Sequence, residues 1–357
     1  MNAAEERAKS FHCPNCGGTV KWNIAKQQLE CSACRAPFPQ EGMDAQLLEH
    51  PYEDFAELED AEVSFPAQTM IACSTCGAQV VFEQSRTASV CPMCGSSQVL
   101  ESRQTAGVSP DGLIPFAIDK ADAQSRFRKW VKSRWFAPNK LKNAYQEGKL
   151  EGVYIPFWTF DADADCHYSG RGAKRNPKAK KDDPESEQYI WFPVSGTVSE
   201  RFDDYQICAG SERVRKVINK VLPYNTQENT IPYNSAYLSG FSAERYAIGA
   251  DQALEEAEDK MLDSLHLAAE AEIRRRGYVQ ADVSKRDLEL ELFDVGYKHI
   301  LLPVWVSAFA YGGKQYTYLI NGENGAVTGE RPFSWIKIAL AAAACIAVLA
   351  VIGTVLM

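Results

Sequence analysis

Hydrophobic positions along this chain follow three rhythms, and each predicts a different element. Where the period is two, strands are expected. Val20 with Trp22 and Val80 with Phe82 suit short hairpins. Phe160, Ala162, Ala164 and Cys166 alternate with Asp161, Asp163 and Asp165 in a strand predicted over 152–168. Leu288, Leu290 and Leu292 alternate with Glu289 and Glu291, giving a half-buried strand. Where the spacing is three and four, helices are expected. Phe127, Trp130 and Val131 predict one from an Asp119 cap to about residue 135, with Pro138 ending it. Leu254, Met261, Leu265 and Ala268 predict another over 249–276, with Arg274, Arg275 and Arg276 at its negative end and Gly277 as C-cap. The third rhythm has no period. Residues 338–357 carry no charge and no proline. As a helix they would measure roughly 30 Å, the thickness of a hydrocarbon core. Trp335, Arg331 and Lys337 flank them. The expectation is a single transmembrane tail anchor, with the bulk of the chain cytoplasmic on the cell membrane.

Cysteine spacing adds the strongest chemical signal. Eight of the eleven cysteines fall in four CxxC pairs. Cys13 and Cys16 are followed fourteen residues later by Cys31 and Cys34. Cys73 and Cys76 are followed at the same interval by Cys91 and Cys94. Every cysteine of the first set has a counterpart sixty positions on, and Gly17, Val20 and Trp22 match Gly77, Val80 and Phe82. A small unit is therefore duplicated. Zinc takes four thiolates tetrahedrally at about 2.3 Å, and two residues between cysteines let one tight turn present both sulfurs. Each unit is too small to fold on apolar burial alone, so metal would supply the folding free energy. Two structural zinc ions on Cys13, Cys16, Cys31, Cys34, Cys73, Cys76, Cys91 and Cys94 are expected. Rubredoxin-type iron and a redox dithiol are the competing readings. Arg35 stands where the other knuckles carry glycine.

Charge narrows the partners. The chain carries −9 overall, and residues 1–104 hold seven basic against fourteen acidic side chains. Such a surface repels phosphate, so nucleic acid is disfavoured as a partner of the cysteine units and protein partners are favoured. Residues 36–72 lack Lys and Arg and read as an acidic linker, or as a docking segment for a basic partner. One basic stretch stands apart: Arg171, Lys174, Arg175, Lys178, Lys180 and Lys181. It reads as a solvated loop, and it is where lipid headgroups or nucleic acid would first be sought.

Catalytic patterns are not visible. There is no Walker A, dinucleotide fingerprint, HExxH or GxSxG, and the five histidines are isolated. The aspartates at 161, 163 and 165 fail as a calcium loop, because Cys166 and Gly172 stand where glycine and glutamate are needed. They read instead as an exposed strand face. Prolines 156 and 303, inside apolar runs, suggest edge strands or bulges. The expected function is non-enzymatic.

Paired N-terminal ribbons, Tyr-Ile-Pro-Phe-Trp at 154–158, Leu-Leu-Pro-Val-Trp at 301–305 followed by Tyr311, Gly313-Lys314, Tyr316, Asn321-Gly322 and Gly325, and an apolar C-terminus resemble one bacterial group. It is the YdjG-type TFIIB-like zinc-ribbon membrane proteins, linked to phage-shock-protein-A-like stress systems and often mislabelled primosomal protein N′ or helicase. The resemblance implies a membrane scaffold that recruits proteins in envelope stress, a phage-shock-protein-A-like partner among them, with zinc on the eight cysteines. It supplies no catalytic residues. A membrane-tethered nucleic-acid-binding protein is the alternative, and a homo-oligomer is compatible with either. The architecture expected is two small all-β zinc ribbons, an α+β domain with mainly antiparallel sheet, and a single C-terminal transmembrane helix. By residue this is ribbon 1 at 1–40, acidic linker 41–68, ribbon 2 at 69–100, flexible joint 101–112, α+β domain 113–335 and anchor 336–357.

Overall fold

A computed structural model describes residues 13–38, 47, 49–55, 69–73, 76–82, 91, 93, 101–102, 108–138, 150–179, 187–312, 314–330 and 332–355. His12, Cys94, Lys180, Lys181 and most of the acidic linker lie outside them.

The first cysteine unit forms the expected hairpin. Strands β1 (Val20–Asn23) and β2 (Gln28–Cys31) pair antiparallel, with Val20 opposite Cys31 and Trp22 opposite Leu29. These four side chains are buried while Lys21 is exposed, so the period-two pattern sets the inner face.

The remaining strands are β3 (His50–Pro51), β4 (Thr69–Ala72), β5 (Gln79–Phe82), β6 (Glu101–Ser102), β7 (Gly112–Leu113), β8 (Glu151–Arg175), β9 (Tyr189–Cys208), β10 (Ile231–Pro232), β11 (Ser242–Glu244), β12 (Gln280–Tyr311), β13 (Lys314–Asn321) and β14 (Val327–Gly329). All belong to one 12-stranded sheet. Its spine is β8 between β12 and β9, both antiparallel to it. Five α-helices accompany the described strands: α1 (Lys120–Lys132), α2 (Glu212–Ile218), α3 (Thr226–Asn229), α4 (Ala250–Arg275) and α5 (Trp335–Val355). Helix α4 covers one face of the spine. Ala253, Leu254, Ala257, Met261, Leu265, Ala269 and Ile273 recur at helical spacing and pack on Trp158, Phe160, Cys166 and Tyr168. Asp119 caps α1 by accepting from the Asp122 N–H, and Phe127 stacks on Tyr318 of β13.

Two features overturn the expected fold class. First, the sheet is mixed, and the second cysteine unit is part of it. Strand β11 runs parallel to β8, and β7 parallel to β12. On its other edge β11 pairs with β5, Glu244 opposite Val80, while β4 pairs with β5. The reason is apolar burial. A ribbon hairpin alone covers little surface, but Ala78 and Val80 are fully buried with Val153, Ile155 and Leu302 of the large sheet. Second, the C-terminal segment is no membrane span. It forms α5, yet no helix among the described residues is long and apolar enough to cross a membrane. The expected tail anchor, and the single-pass cell-membrane localisation built on it, are corrected accordingly.

Prolines 156 and 303 sit in the middle of the sheet. Pro156 lies opposite Leu301, and Pro303 opposite Tyr154. Each stands where one lateral neighbour ends and the next begins. Strand β11 pairs with β8 up to Tyr154 and β9 starts at Phe157. Strand β7 pairs with β12 up to Leu301 and β13 starts at Val304. A missing N–H costs least at such a seam.

Candidate metal centres

The two knuckles of the first unit bring four sulfurs together. Gly17 N–H donates to Cys13 O (2.8 Å) and Arg35 N–H to Cys31 O (3.0 Å), closing equivalent tight turns. Gly17 has φ +70° and Arg35 φ +60°. The left-handed conformation needed at this place is free for glycine and strained for arginine. Cys13 Sγ lies 3.6 Å from Cys34 Sγ, and Cys16 Sγ 3.5 Å from Cys31 Sγ. All four ligand atoms fall within 4.8 Å of one another. A tetrahedron with metal–sulfur bonds of about 2.3 Å has edges of about 3.8 Å, so the cluster fits a four-thiolate ion.

Thiolate character is supported at one of the four sulfurs, Cys31. The Cys34 N–H aimed at Cys31, followed by that of Ala33, holds the Cys31 thiol well below the ordinary thiol range. Ala33 N lies 3.4 Å from that sulfur. Gly18 matters by what it lacks. A Cβ there would sit 2.9 Å from Cys31 Sγ and 3.4 Å from Cys16 Sγ.

The second unit repeats the design. Gly77, φ +73°, donates to Cys73 O (2.8 Å). Cys76 Sγ lies 3.8 Å from Cys91 Sγ, and Cys73, Cys76 and Cys91 form a cluster that could hold a metal. Its last knuckle is tied to the sheet, because Thr317 Oγ1 donates to Met93 O (3.1 Å). Arg213 Nε in turn donates to Thr317 Oγ1 (2.9 Å).

Burial separates the two clusters. Cys13 and Cys31 are buried but Cys16 and Cys34 are exposed, whereas Cys73 and Cys91 are buried and Cys76 half-buried. The first unit is latched to the large domain by, among others, a side chain that sequence reading treated only as packing. Trp22 Nε1 donates to Phe116 O (2.9 Å), and its ring meets Tyr237 at 5.0 Å.

Other polar clusters have their own explanation. Asp161 is buried, correcting its assignment to an exposed face. It accepts from the Asp204 N–H (2.7 Å), and Asp204 pairs with Lys298 (2.7 Å). Burial, followed by Glu49, raises the Asp161 carboxyl to about 6. Asp163 and Asp165 do face outward, toward Arg201 and Ser199. Burial against Trp158 and Tyr246 lowers His299 to about 4, so it is a neutral packing residue. A cleft of about 940 Å³ is lined by Asp203, Gln206, Asn225, Gln227, Asn229 and Glu323. Its amides largely bond within the chain: Gln206 to Tyr224 O, Gln227 to Asp203 and Asn229 to Glu323. The basic stretch continues the end of β8, where Arg171 lies over the exposed Trp191 ring at 5.4 Å.

Comparison with known proteins agrees with the whole-chain pattern. No family model matches, and no solved structure matches. The chain is similar to the uncharacterized protein YdjG of Bacillus subtilis (strain 168), 27% identical over 330 residues that cover 92% of each chain.

Proposed function

We propose that this chain is a zinc-binding adaptor, whose two thiolate centres shape docking surfaces for protein partners and carry out no chemistry. The observation behind this is the first cluster: four cysteine sulfurs at tetrahedral spacing leave no coordination position for a substrate. Bound zinc would supply folding free energy, and Cys13, Cys16, Cys31 and Cys34 would hold it. Cys73, Cys76 and Cys91, with Cys94 as the fourth ligand by the sixty-residue repeat, would hold the second ion. The acidic balance of the cysteine half favours proteins over phosphate polymers. A phage-shock-protein-A-like protein, the partner class implied by the family resemblance, is the first to test.

Metal analysis of the full chain should give about two zinc per chain, the capacity of two four-thiolate sites. Iron, or a single zinc, overturns the assignment. Immobilised full chain should retain a purified phage-shock-protein-A-like partner, and retention should fall on chelation. Retention unaffected by removing all metal would argue against metal-shaped docking.

A second reading rests on the β8 end. Arg171 over exposed Trp191, with Lys174, Arg175 and Lys178 nearby, is a cationic stacking platform of the kind that holds single-stranded nucleic acid. A gel shift at about 0.15 M salt decides it, since screening at that ionic strength weakens purely electrostatic contacts and leaves stacking in place. Under the adaptor reading no complex forms.

A further inference from the structure

We infer that the first cysteine cluster is a modification site for peroxide-class oxidants, and that its oxidation undocks the first hairpin from the large domain. The inference builds on the zinc reading but is carried by a separate observation, the difference in exposure between two copies of one motif. Cys16 and Cys34 are exposed, and each has a buried sulfur within reach: Cys31 at 3.5 Å from Cys16, and Cys13 at 3.6 Å from Cys34. Gly18 puts no side chain against the Cys16 and Cys31 sulfurs, where a Cβ would lie 3.4 Å and 2.9 Å away. The residue sixty positions on is Ala78, fully buried, in a cluster whose described cysteines are buried or half-buried. Among the described counterparts the difference falls at one position: Cys16 is exposed where Cys76 is half-buried.

The chemistry balances without help from any other group in the chain. The exposed thiolate attacks one oxygen of hydrogen peroxide. The O–O bond breaks, hydroxide leaves, and sulfur becomes a sulfenic acid. The neighbouring thiolate then attacks that sulfur, forming the S–S bond and releasing a second hydroxide. Two thiolates lose two electrons and one peroxide gains them. The linkages expected are Cys13–Cys34 and Cys16–Cys31, the two pairs already in contact. A pair so joined no longer offers two thiolates, so the unit cannot keep its ion, and the tetrahedral geometry the ion would impose on the hairpin gives way to that of two S–S bonds. Trp22 then leaves Phe116 O and Tyr237.

The full chain, as purified, is exposed to hydrogen peroxide, quenched with N-ethylmaleimide at intervals and peptide-mapped. Disulfides among Cys13, Cys16, Cys31 and Cys34 should appear at least about tenfold sooner than any among Cys73, Cys76, Cys91 and Cys94, as exposure controls thiol reactivity. Exposed Cys345 serves as an internal gauge of peroxide strength. Zinc release and a red shift in tryptophan emission should follow the first set. Equal rates, or earlier reaction in the second set, overturn the inference. So does first-set oxidation that leaves tryptophan emission unmoved. Zinc content before peroxide tests the zinc reading alone, and the order of disulfide formation is a separate readout on the same purified chain.

Discussion

The indole N–H of Trp22 donates to the carbonyl of Phe116 across 94 positions of sequence. This bond joins the first hairpin to the segment that leads into α1. Gln27 Nε2 reaches the same carbonyl at 3.2 Å. Trp22→Phe keeps the ring and removes the donor, so docking should weaken by about 1–2 kcal/mol. Hydrogen exchange should rise in residues 20–31 and stay constant in β8. Unchanged exchange in the hairpin would show that the latch lies elsewhere.

Arg35 holds a left-handed backbone where Gly17 and Gly77 stand in the matching turns. A side chain in that conformation costs about 1–2 kcal/mol, partly offset by the extra chain entropy of glycine. Arg35→Gly should therefore strengthen the first unit by roughly 0.5–1 kcal/mol. Slower metal loss to a chelator is the expected signature. Faster loss would mean that the arginine side chain contributes more than its backbone strain costs.

Losing the two clusters should have unequal consequences. Cys16→Ser disrupts a unit that packs on the domain through one hairpin face, so the sheet should survive. Cys73→Ser disrupts a unit whose strand β5 is hydrogen-bonded to β11 and whose Val80 is in the core. Structural zinc sites contribute on the order of 10 kcal/mol, comparable with the whole stability of a domain. Hydrogen-exchange protection over 153–158 should persist in the first variant and collapse in the second. Similar protection in both would separate the second cluster energetically from the sheet.

Glu244 gives the β5–β11 junction a pH dependence. Its carboxyl is 2% exposed, and burial raises it to about 7. Ser211 N–H donates to one oxygen (3.0 Å), while the other has no partner. The folded value lies above the unfolded one. The associated stability is therefore fully present below about pH 4.5 and is lost as pH rises through 7, by roughly 3 kcal/mol in all. Glu244→Gln keeps an acceptor for Ser211 and cannot ionise. Denaturant melts should show the variant gaining on the parent chain between pH 5 and pH 8. Parallel curves would mean the carboxyl is solvated in the folded state.

Much of this was legible in the sequence. Val20 and Trp22 alternate, and the hairpin buries them. The alternation from Phe160 to Cys166 predicted a strand and the spacing from Leu254 to Leu265 a helix; that the two pack together is seen only in the structure. The sixty-residue repeat named the sulfurs that converge. What failed has a common cause: the missing information was about neighbours. Val80 alternates with Phe82 whether a small hairpin or a twelve-stranded sheet covers it. Strand β11 is three residues long, too short for any periodicity. Asp161 reads as polar and outward until Asp204 and Lys298, distant in sequence, arrive beside it. Exposure of Cys16 against half-burial of Cys76 leaves one trace, glycine at 18 against alanine at 78.

The uninterrupted length of β8 sets a distance. It pairs near its start with β11, which is bonded in turn to β5 of the second cysteine unit, and ends at Arg175 beside the exposed Trp191. At about 3.3 Å per residue, Tyr154 and Arg175 lie roughly 70 Å apart along the strand. That exceeds the diameter of most small globular domains. A compact molecule seated at one end cannot touch the other, so the strand acts as a spacer bar. Anything that engages both ends must be elongated, or must be two molecules held at a fixed separation.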